Sequence, residues 1–332
     1  MNWTKGFTSQ YYAYLLDPAT WRETELLEIT GGRISRNLDG LRDACDIDIV
    51  GSLSGERWIR VYMDTTQDGA SEHVPLFTGL TSNPERNIEG RYEENTLQCF
   101  SVLKPCQDIL LDRGYYVPAD IAGDIIIKNL LTVTPARVEV NGEAPALRRA
   151  IIAEEGETHL SMIDKVLAAL NWRMRLKGDG TIELCPMPLT ESIEFNPLEN
   201  DIVEMSISLS YDWYQCPNVF RAVQGDLSAI ARDDNPLSPM STVSRGREVW
   251  MEDNNAELNT GESIEEFAIR KLKEEQRVSL TASYTRRFEP NLVAGDLIRS
   301  RYEQLDGLFR ITSQTIEIGM GSATEEEVES HE

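Results

Sequence analysis

The chain has 332 residues, 41% of them hydrophobic, which is enough for two or three domains that each bury a core of their own. Its 32 lysines and arginines stand against 56 aspartates and glutamates, and the formal net charge of -24 argues against DNA or an anionic lipid as a clamped ligand. No segment approaches the roughly 18 apolar residues of a membrane span, and the first residues lack the pattern of a secretion signal. We therefore expect a chain made in a cytoplasm, with no membrane partner and no specific nucleic-acid binding.

Residues 1–24 are rich in aromatic side chains and turn formers and show no clean helical or strand period. They are predicted to form an extended arm that docks its aromatics onto something. The aromatic residues are Trp3, Phe7, Tyr11, Tyr12, Tyr14 and Trp21.

Residues 25–104 are predicted to form a β domain, because β-branched and aromatic segments alternate with turn signals. The predicted strands are Leu26–Thr30, Ile47–Val50, Trp58–Met63, Val74–Leu80 and Thr96–Leu103. We expect a turn at Gly31-Gly32 and a hairpin loop over Asp64–Glu72. The last strand has apolar residues at both parities, which favours burial on both faces.

Residues 105–200 change to a small α+β domain. Helical spacing of apolar residues predicts helices over Cys106–Arg113 and Ala122–Leu131, and a third over Glu157–Leu170 with Thr158 as its N-cap. Alternation then predicts a hairpin from Trp172 to Cys185.

Residues 201–321 are predicted to form a second β domain, with a long polar insertion over residues 226–259. A capping box of Ser263 and Glu266 starts a helix that runs to about Gln276. The predicted strands are Ile202–Ser210, Leu297–Tyr302, Leu308–Ser313 and Thr315–Ile318. The glutamate-rich residues 322–332 are predicted to be a frayed acidic tail. The fold class is thus α+β, mainly β.

Residues that could carry chemistry are scattered. His73, His159 and His331 are too far apart in sequence to suggest a shared metal or a catalytic triad, and no Walker, GxSxG, GxGxxG or HExxH motif is present. The five cysteines are odd in number and include no CxxC pair, which favours buried thiols over a disulfide framework. They are Cys45, Cys99, Cys106, Cys185 and Cys216. We predict no enzyme, no catalytic, cofactor or metal residues, and no cofactor.

Two acidic clusters allow alternatives. Glu154, Glu155 and Glu157 could supply a hydrolase with a carboxylate pair, but they fit better as first-turn acids favoured by the helix dipole. Asp233 and Asp234, followed by Asn235, could hold calcium, yet the glycine and distal glutamate of an EF-hand loop are missing. Similarly, the N-terminal aromatics could stack on sugars or bases, but without basic partners they favour packing against a neighbouring subunit.

Several stretches, in this order along residues 25–320, resemble the baseplate hub proteins of phage tails and of phage-derived contractile particles. They are Val74–Leu80, Cys99–Lys104, Glu155–Thr158, the Trp172–Cys185 hairpin, Asn218–Gly225, and the closing segment from Ser263 through Gly295-Asp296 to Gly307–Ile311. The aromatic N-terminus and residues 226–259 depart from the family and leave open how the chain contacts its neighbours.

The resemblance implies two tail-tube-like β-barrel domains, residues 25–104 and 201–321, flanking the small α+β domain. In a homotrimer, two such barrels per chain form a pseudo-hexameric ring that adapts a sixfold tail tube to a threefold spike. The implied partners are the tube protein, the spike and other baseplate or tape-measure proteins, in the tail baseplate of a virion or a phage-derived particle. The alternatives are a tail-associated glycan or peptidoglycan hydrolase with paired carboxylates, and a tail-tip carbohydrate-binding module.

Overall fold

The computed structural model describes the chain except residues 4, 83–84, 90–91, 189–191, 196–201, 212, 226, 255, 257–262, 277–279, 303–304, 320–322 and 332. Side chains of residues 85–89, 92–94, 202–206 and 302 are also outside the description. Two compact units emerge: residues 1–207 with 283–332, and residues 208–282.

The described chain is mainly β, with five α-helices, in agreement with the predicted fold class of α+β, mainly β. The N-terminal strands are β1 (Thr8–Leu16), β2 (Glu23–Asn37), β3 (Asp43–Ile49), β4 (Trp58–Gln67), β5 (Ala70–Thr81), β6 (Glu85–Glu89) and β7 (Tyr92–Ser101). The middle elements are α1 (Lys104–Asp108), β8 (Tyr116–Val117), α2 (Gly123–Leu130), β9 (Val138–Val140), β10 (Ile151–Ile152), α3 (His159–Leu170), β11 (Trp172–Leu176), β12 (Ile182–Pro186) and β13 (Ile193–Phe195). The remaining elements are β14 (Ile202–Tyr211), β15 (Val219–Gln224), β16 (Leu227–Arg232), α4 (Thr242–Arg245), β17 (Trp250–Asp253), α5 (Ile264–Glu275), β18 (Leu280–Arg286), β19 (Leu297–Tyr302), β20 (Leu305–Glu317) and β21 (Thr324–Ser330).

Six N-terminal strands form a closed circuit of antiparallel pairs in the order β1-β4-β5-β7-β3-β2, because β2 pairs in turn with β1. Alternate residues point to one side and form a continuous apolar core. Its fully buried members include Ile34, Ile47, Ile59, Val61 and Leu97.

The predicted N-terminal arm is wrong, because β1 belongs to this circuit. It pairs with β4 along its whole length and with part of β2. Ala13 and Leu15 point into the core while Tyr12 and Tyr14 point outward. The outward tyrosines masked this alternation in the sequence, since aromatic residues suit either face of a strand.

The predicted turn at Gly31-Gly32 is also wrong, since β2 runs through both glycines with a register shift between Ile29 and Gly31. Gly32 has a φ of +134°, and a Cβ there would lie 2.2 Å from the backbone oxygen of Asp46. The bulge therefore requires glycine.

Two further details of this region differ from expectation. Most of Asp64–Glu72 is strand, closed by a two-residue turn at Asp68-Gly69 whose φ angles are both positive. In β7, Leu97 and Cys99 are buried but Gln98 is exposed, so the strand is buried on one face only.

The acidic C-terminus is a strand rather than a frayed tail, which corrects the prediction for residues 322–332. β21 pairs with β20, which also pairs with β2 and β19. Thr324, Glu326 and Val328 are buried. The buried Glu326 carboxylate accepts hydrogen bonds from Gln314 Nε2 at 2.8 Å and from the Tyr284 hydroxyl at 3.1 Å, which makes burial of an acid tolerable.

The middle segment of the same unit contains the helices α1, α2 and α3 and a three-stranded sheet in the order β11-β12-β9. The predicted α2, α3 and hairpin β11-β12 are confirmed, and Thr158 caps α3 by accepting a hydrogen bond from Ser161 N at 3.2 Å. The first predicted helix is shorter and shifted, over Lys104–Asp108. The buried core of this middle segment includes Leu103, Ile127, Ile163 and Val166.

Residues 208–282 form a unit in which α5 packs on one face of the sheet β16-β15-β17. The Ser263–Glu266 capping box is confirmed. Residues 226–259 are not a structureless insertion, because they contain β16, α4 and β17. No helix in the described residues is long and apolar enough to span a membrane.

Candidate functional site

An acidic groove crosses the outward face of the sheet in the first unit. Strands β7, β3, β2, β20 and β21 lie side by side there, and alternation directs their polar residues away from the apolar core. The groove has a volume of about 720 Å³. It is lined by Gly32, Arg33, Asp46, Asp48, Thr96, Gln98, Thr315, Glu317 and Glu325.

Register explains why these side chains meet. Asp46 faces Arg33 across β3 and β2, and Arg33 Nε lies 3.1 Å from Asp46 Oδ2. Asp48 faces Thr96 on β7, whose hydroxyl donates a hydrogen bond of 2.6 Å to Asp48 Oδ1. Arg33 also faces Glu317 on β20. One arginine among four acids leaves the groove strongly negative.

The acids of this groove are spread over neighbouring strands rather than gathered. Within the described residues, no group of three or more His, Cys, Asp or Glu side chains could hold a metal ion. The four acids and one arginine give the groove a diffuse negative field, which repels phosphates.

A buried ion pair joins the α+β segment to the C-terminal strands of the same unit. Arg173 Nη2, on β11, lies 2.7 Å from Asp296 Oδ1, just before β19. Asp296 Oδ2 accepts a second hydrogen bond, from Val293 N at 3.0 Å. Gly295 makes room, since a Cβ there would lie 2.8 Å from Arg173 Nη1. The sequence gives no local signal for this pair, because Arg173 and Asp296 lie 123 positions apart.

The acidic cluster Glu154, Glu155 and Glu157 was expected to supply first-turn acids to α3, and the structure arranges it differently. None of its acids lies in the first turn of α3. Glu157 instead precedes the N-cap and accepts hydrogen bonds from Glu154 N at 2.8 Å and Lys165 Nζ at 3.0 Å. Burial tends to raise the pKa of Glu157, but these two donors outweigh it and hold the pKa below its ordinary value.

The histidines lie in three separate places. His73 stacks on Tyr62 with ring centroids 4.3 Å apart, and its Nδ1 lies 2.6 Å from Asp64 Oδ1. His159 Nδ1 lies 3.0 Å from the backbone oxygen of Leu130. His331 lies beside Arg310, and burial followed by that positive charge lowers the pKa of His331.

The Asp233-Asp234 segment uses its carboxylates to shape a loop. Asp233 accepts hydrogen bonds from Ser238 Oγ at 2.6 Å and Gln276 Nε2 at 3.0 Å. Asp234 accepts one from the hydroxyl of Thr242. Both carboxylates therefore have hydrogen-bond partners within the chain.

Several N-terminal aromatics pack within the chain, and their packing against a neighbouring subunit stays a prediction. Trp3 contacts Phe7 and the buried Phe288, with ring centroids 5.2 and 5.7 Å apart. Trp21 lies 5.2 Å from Trp58. The predicted buried thiols are confirmed: all five cysteines are buried, and none forms a disulfide.

The geometry defines a β-rich protein with a closed strand circuit and an acidic face, and solved structures of tail proteins share this fold. No protein-family model and no curated protein matches the chain. The 43 kDa tail protein of prophage MuSo2 from Shewanella oneidensis is similar, with a TM-score of 0.68 and 15% identity over 96% of this chain and 98% of that one.

Two other structures agree. A tail protein from Neisseria meningitidis MC58 has a TM-score of 0.67 and 15% identity over 97% of each chain. The prophage tail protein gp18 from Listeria monocytogenes EGD-e has a TM-score of 0.55 and 12% identity over 98% of this chain and 95% of that one. The chain thus has the fold of phage tail proteins along almost its entire length.

Proposed function

We propose that the chain is a non-catalytic structural subunit of a phage-type tail, and specifically a baseplate hub that joins the tail tube to the spike. The observation that carries this proposal is the fold likeness to phage tail proteins over 96% of the chain. Its place would be the tail baseplate of a virion or of a phage-derived particle, assembled in the bacterial cytoplasm.

In this proposal the closed circuit of β1 to β5 and β7 is the first tube-like barrel. The strands β18 to β21 contribute to the second, and β2 and β20 are the paired strands where the two sets meet. Three chains would then place six similar β domains around an axis, which matches a sixfold tube above and a threefold spike below. The direct partners would be two further copies of the chain, the tube protein, the spike and other baseplate or tape-measure proteins.

The acidic groove supports a role for the ring's inner wall. If Asp46, Asp48 and Glu317 face the lumen, they repel the phosphates of passing DNA, because retention of nucleic acid depends on neutralising phosphate charge. DNA would then pass without binding.

Charge reversal tests this assignment. Particles with Asp46→Lys and Glu317→Lys should retain DNA or release it more slowly, and the defect should shrink as salt rises. The matched control is Glu155→Lys, which reverses an exposed acid outside the groove. Unchanged DNA passage in the double variant contradicts a lumen-facing groove.

The hub proposal itself is tested by the mass of the protein in solution, measured by light scattering with and without the spike. A trimer, or a monomer that becomes a trimer when the spike is added, is the expected result. A monomer indifferent to every tail component contradicts the proposal.

A further inference from the structure

Exposed apolar side chains are concentrated in residues 208–282. Of the 18 large hydrophobic residues that are exposed in the described chain, ten lie in this unit. They are Tyr211, Trp213, Tyr214, Leu227, Ile230, Leu237, Val243, Trp250, Met251 and Ile269. Of the six tryptophans, only Trp213 and Trp250 are exposed. An exposed apolar patch marks an interaction surface. Ile269 lies on α5 and is not one of the residues that line the pocket described next.

Part of this surface is a pocket of about 520 Å³ that is rich in aromatic and basic groups. Its lining residues are Trp213, Tyr214, Pro239, Met240, Arg245 and Arg247. The Arg247 guanidinium stacks over the Tyr214 ring at 4.2 Å and donates a hydrogen bond of 2.6 Å to the Tyr214 backbone oxygen. Arg245 donates to the same oxygen at 2.9 Å. Both arginines are therefore fixed in place beside a ring that is 70% exposed.

Exposed residues on the face of the sheet β16-β15-β17 opposite α5 add to this surface. The helix α5 packs on the face of the sheet that contains Phe220 and Ala231. On the other face, Trp250 and Arg232 flank Val219, and Ile230 lies in the next row. Glu248 holds two of these side chains, accepting hydrogen bonds from Arg232 Nη2 at 2.5 Å and Trp250 Nε1 at 2.8 Å.

We propose that this surface, the pocket with Trp213 and Tyr214 together with the sheet face with Trp250, binds a second copy of the chain. The argument is charge complementarity. The pocket is lined by two arginines and no acid. Outside residues 208–282, the sequence has 24 basic and 43 acidic residues, a difference of -19. A neighbouring copy thus presents acids to a surface that carries arginines.

This inference rests on the proposed trimeric ring and identifies the surface through which neighbouring copies contact each other. Copies of a chain with a net charge of -24 repel one another unless opposite charges meet locally. A ring with rotational symmetry uses two different patches of the same chain, one on each side. Trp, Tyr and Arg side chains dominate the affinity of such contacts, and these are the residue types that the surface displays.

The test compares three variants of the full chain by light scattering over a range of concentrations, with and without the spike. Trp213→Ala combined with Tyr214→Ala empties the pocket, and Trp250→Ala alters the sheet face. The matched control is Ile269→Ala, which removes a side chain that is 50% exposed on α5, against the opposite face of the same sheet. Circular dichroism and thermal midpoints confirm that each variant is folded.

The double variant Trp213→Ala/Tyr214→Ala and the variant Trp250→Ala should each raise the dissociation constant of the trimer at least about tenfold. The control Ile269→Ala should leave this constant unchanged.

The outcomes separate this inference from the proposed function. A wild-type chain that stays monomeric with and without the spike overturns both. A wild-type trimer whose variants are equally trimeric keeps the ring but overturns this surface. Variants that remain trimeric and lose only the spike assign the surface to the spike and overturn the second copy as its occupant.

Discussion

The buried pair Arg173–Asp296 is predicted to be a main connection between the α+β segment and the C-terminal strands. Arg173 is 8% exposed and Asp296 is 3% exposed, and their charged atoms lie 2.7 Å apart. Replacing Arg173 by Met leaves a buried carboxylate whose remaining partners are Val293 N at 3.0 Å and Arg175 Nη2 at 3.9 Å. Removing one partner of a buried pair costs about 3–5 kcal/mol.

Because Asp296 keeps these two partners, we expect the lower part of that range, about 3 kcal/mol. In a unit of this size, about 1 kcal/mol shifts the melting temperature by roughly 2–4 °C, so Arg173→Met should lower it by about 10 °C. Asp296→Asn alone should have a similar effect. Adding Asp296→Asn to Arg173→Met should cost less than about 1 kcal/mol more, since no unpaired charge remains.

Differential scanning calorimetry of the single and double variants measures this coupling. The control is Arg33→Met, which breaks a cross-strand pair with Asp46 whose side chains are 65% and 34% exposed. An exposed pair contributes less than about 1 kcal/mol. If Arg173→Met lowers the melting temperature by less than about 2 °C, or if the two single effects simply add, the reasoning is refuted.

Three further predictions concern single residues. Burial raises the pKa of Asp43 to about 6 despite Arg36 and Arg42, so the folded chain binds more protons than the unfolded chain between pH about 4 and about 6. Its contribution to stability therefore falls as pH rises through this window. The wild type should gain about 1 kcal/mol more than Asp43→Asn between pH 7 and pH 5 in urea unfolding, and equal gains contradict this. Gly32→Ala should cost about 2–3 kcal/mol in the same assay, because a Cβ meets the Asp46 backbone oxygen, and a neutral effect contradicts the bulge geometry. Thr158→Ala should cost about 1 kcal/mol while Thr158→Ser costs little, and an equal loss in both variants argues against the N-cap.

Elements whose signals are local could be predicted from the sequence. The helix α3 has its N-cap, its apolar stripe and the following hairpin within one stretch of chain, and the helix α5 starts at a capping box. Each depends on residues three or four positions apart, so spacing alone specifies them. The buried cysteines follow similarly from their number and spacing.

The circuit and the groove depend on pairings between distant segments, which local patterns do not encode. The aromatic N-terminus could equally have been an arm, since only its pairing with β4 and β2 places it in the sheet. The glycines of β2 gave a turn signal because a bulge and a turn both require unusual backbone angles. The acids of the groove come from three strands, β3, β20 and β21, and only register brings them together.

The C-terminal strand β21 is the clearest case of an element that local sequence patterns did not predict. One substitution distinguishes a paired strand from a solvated tail. Composition favours a solvated tail, whereas the strand buries Val328 completely and leaves Glu325 exposed. A carboxylate at a buried position without a partner is costly, so Val328→Asp should destabilise the first unit by about 3–4 kcal/mol, measured by urea unfolding. Glu325→Gln is the matched change on the exposed side and should cost less than about 0.5 kcal/mol. A frayed tail would tolerate both equally, so a neutral Val328→Asp removes β21 from the sheet.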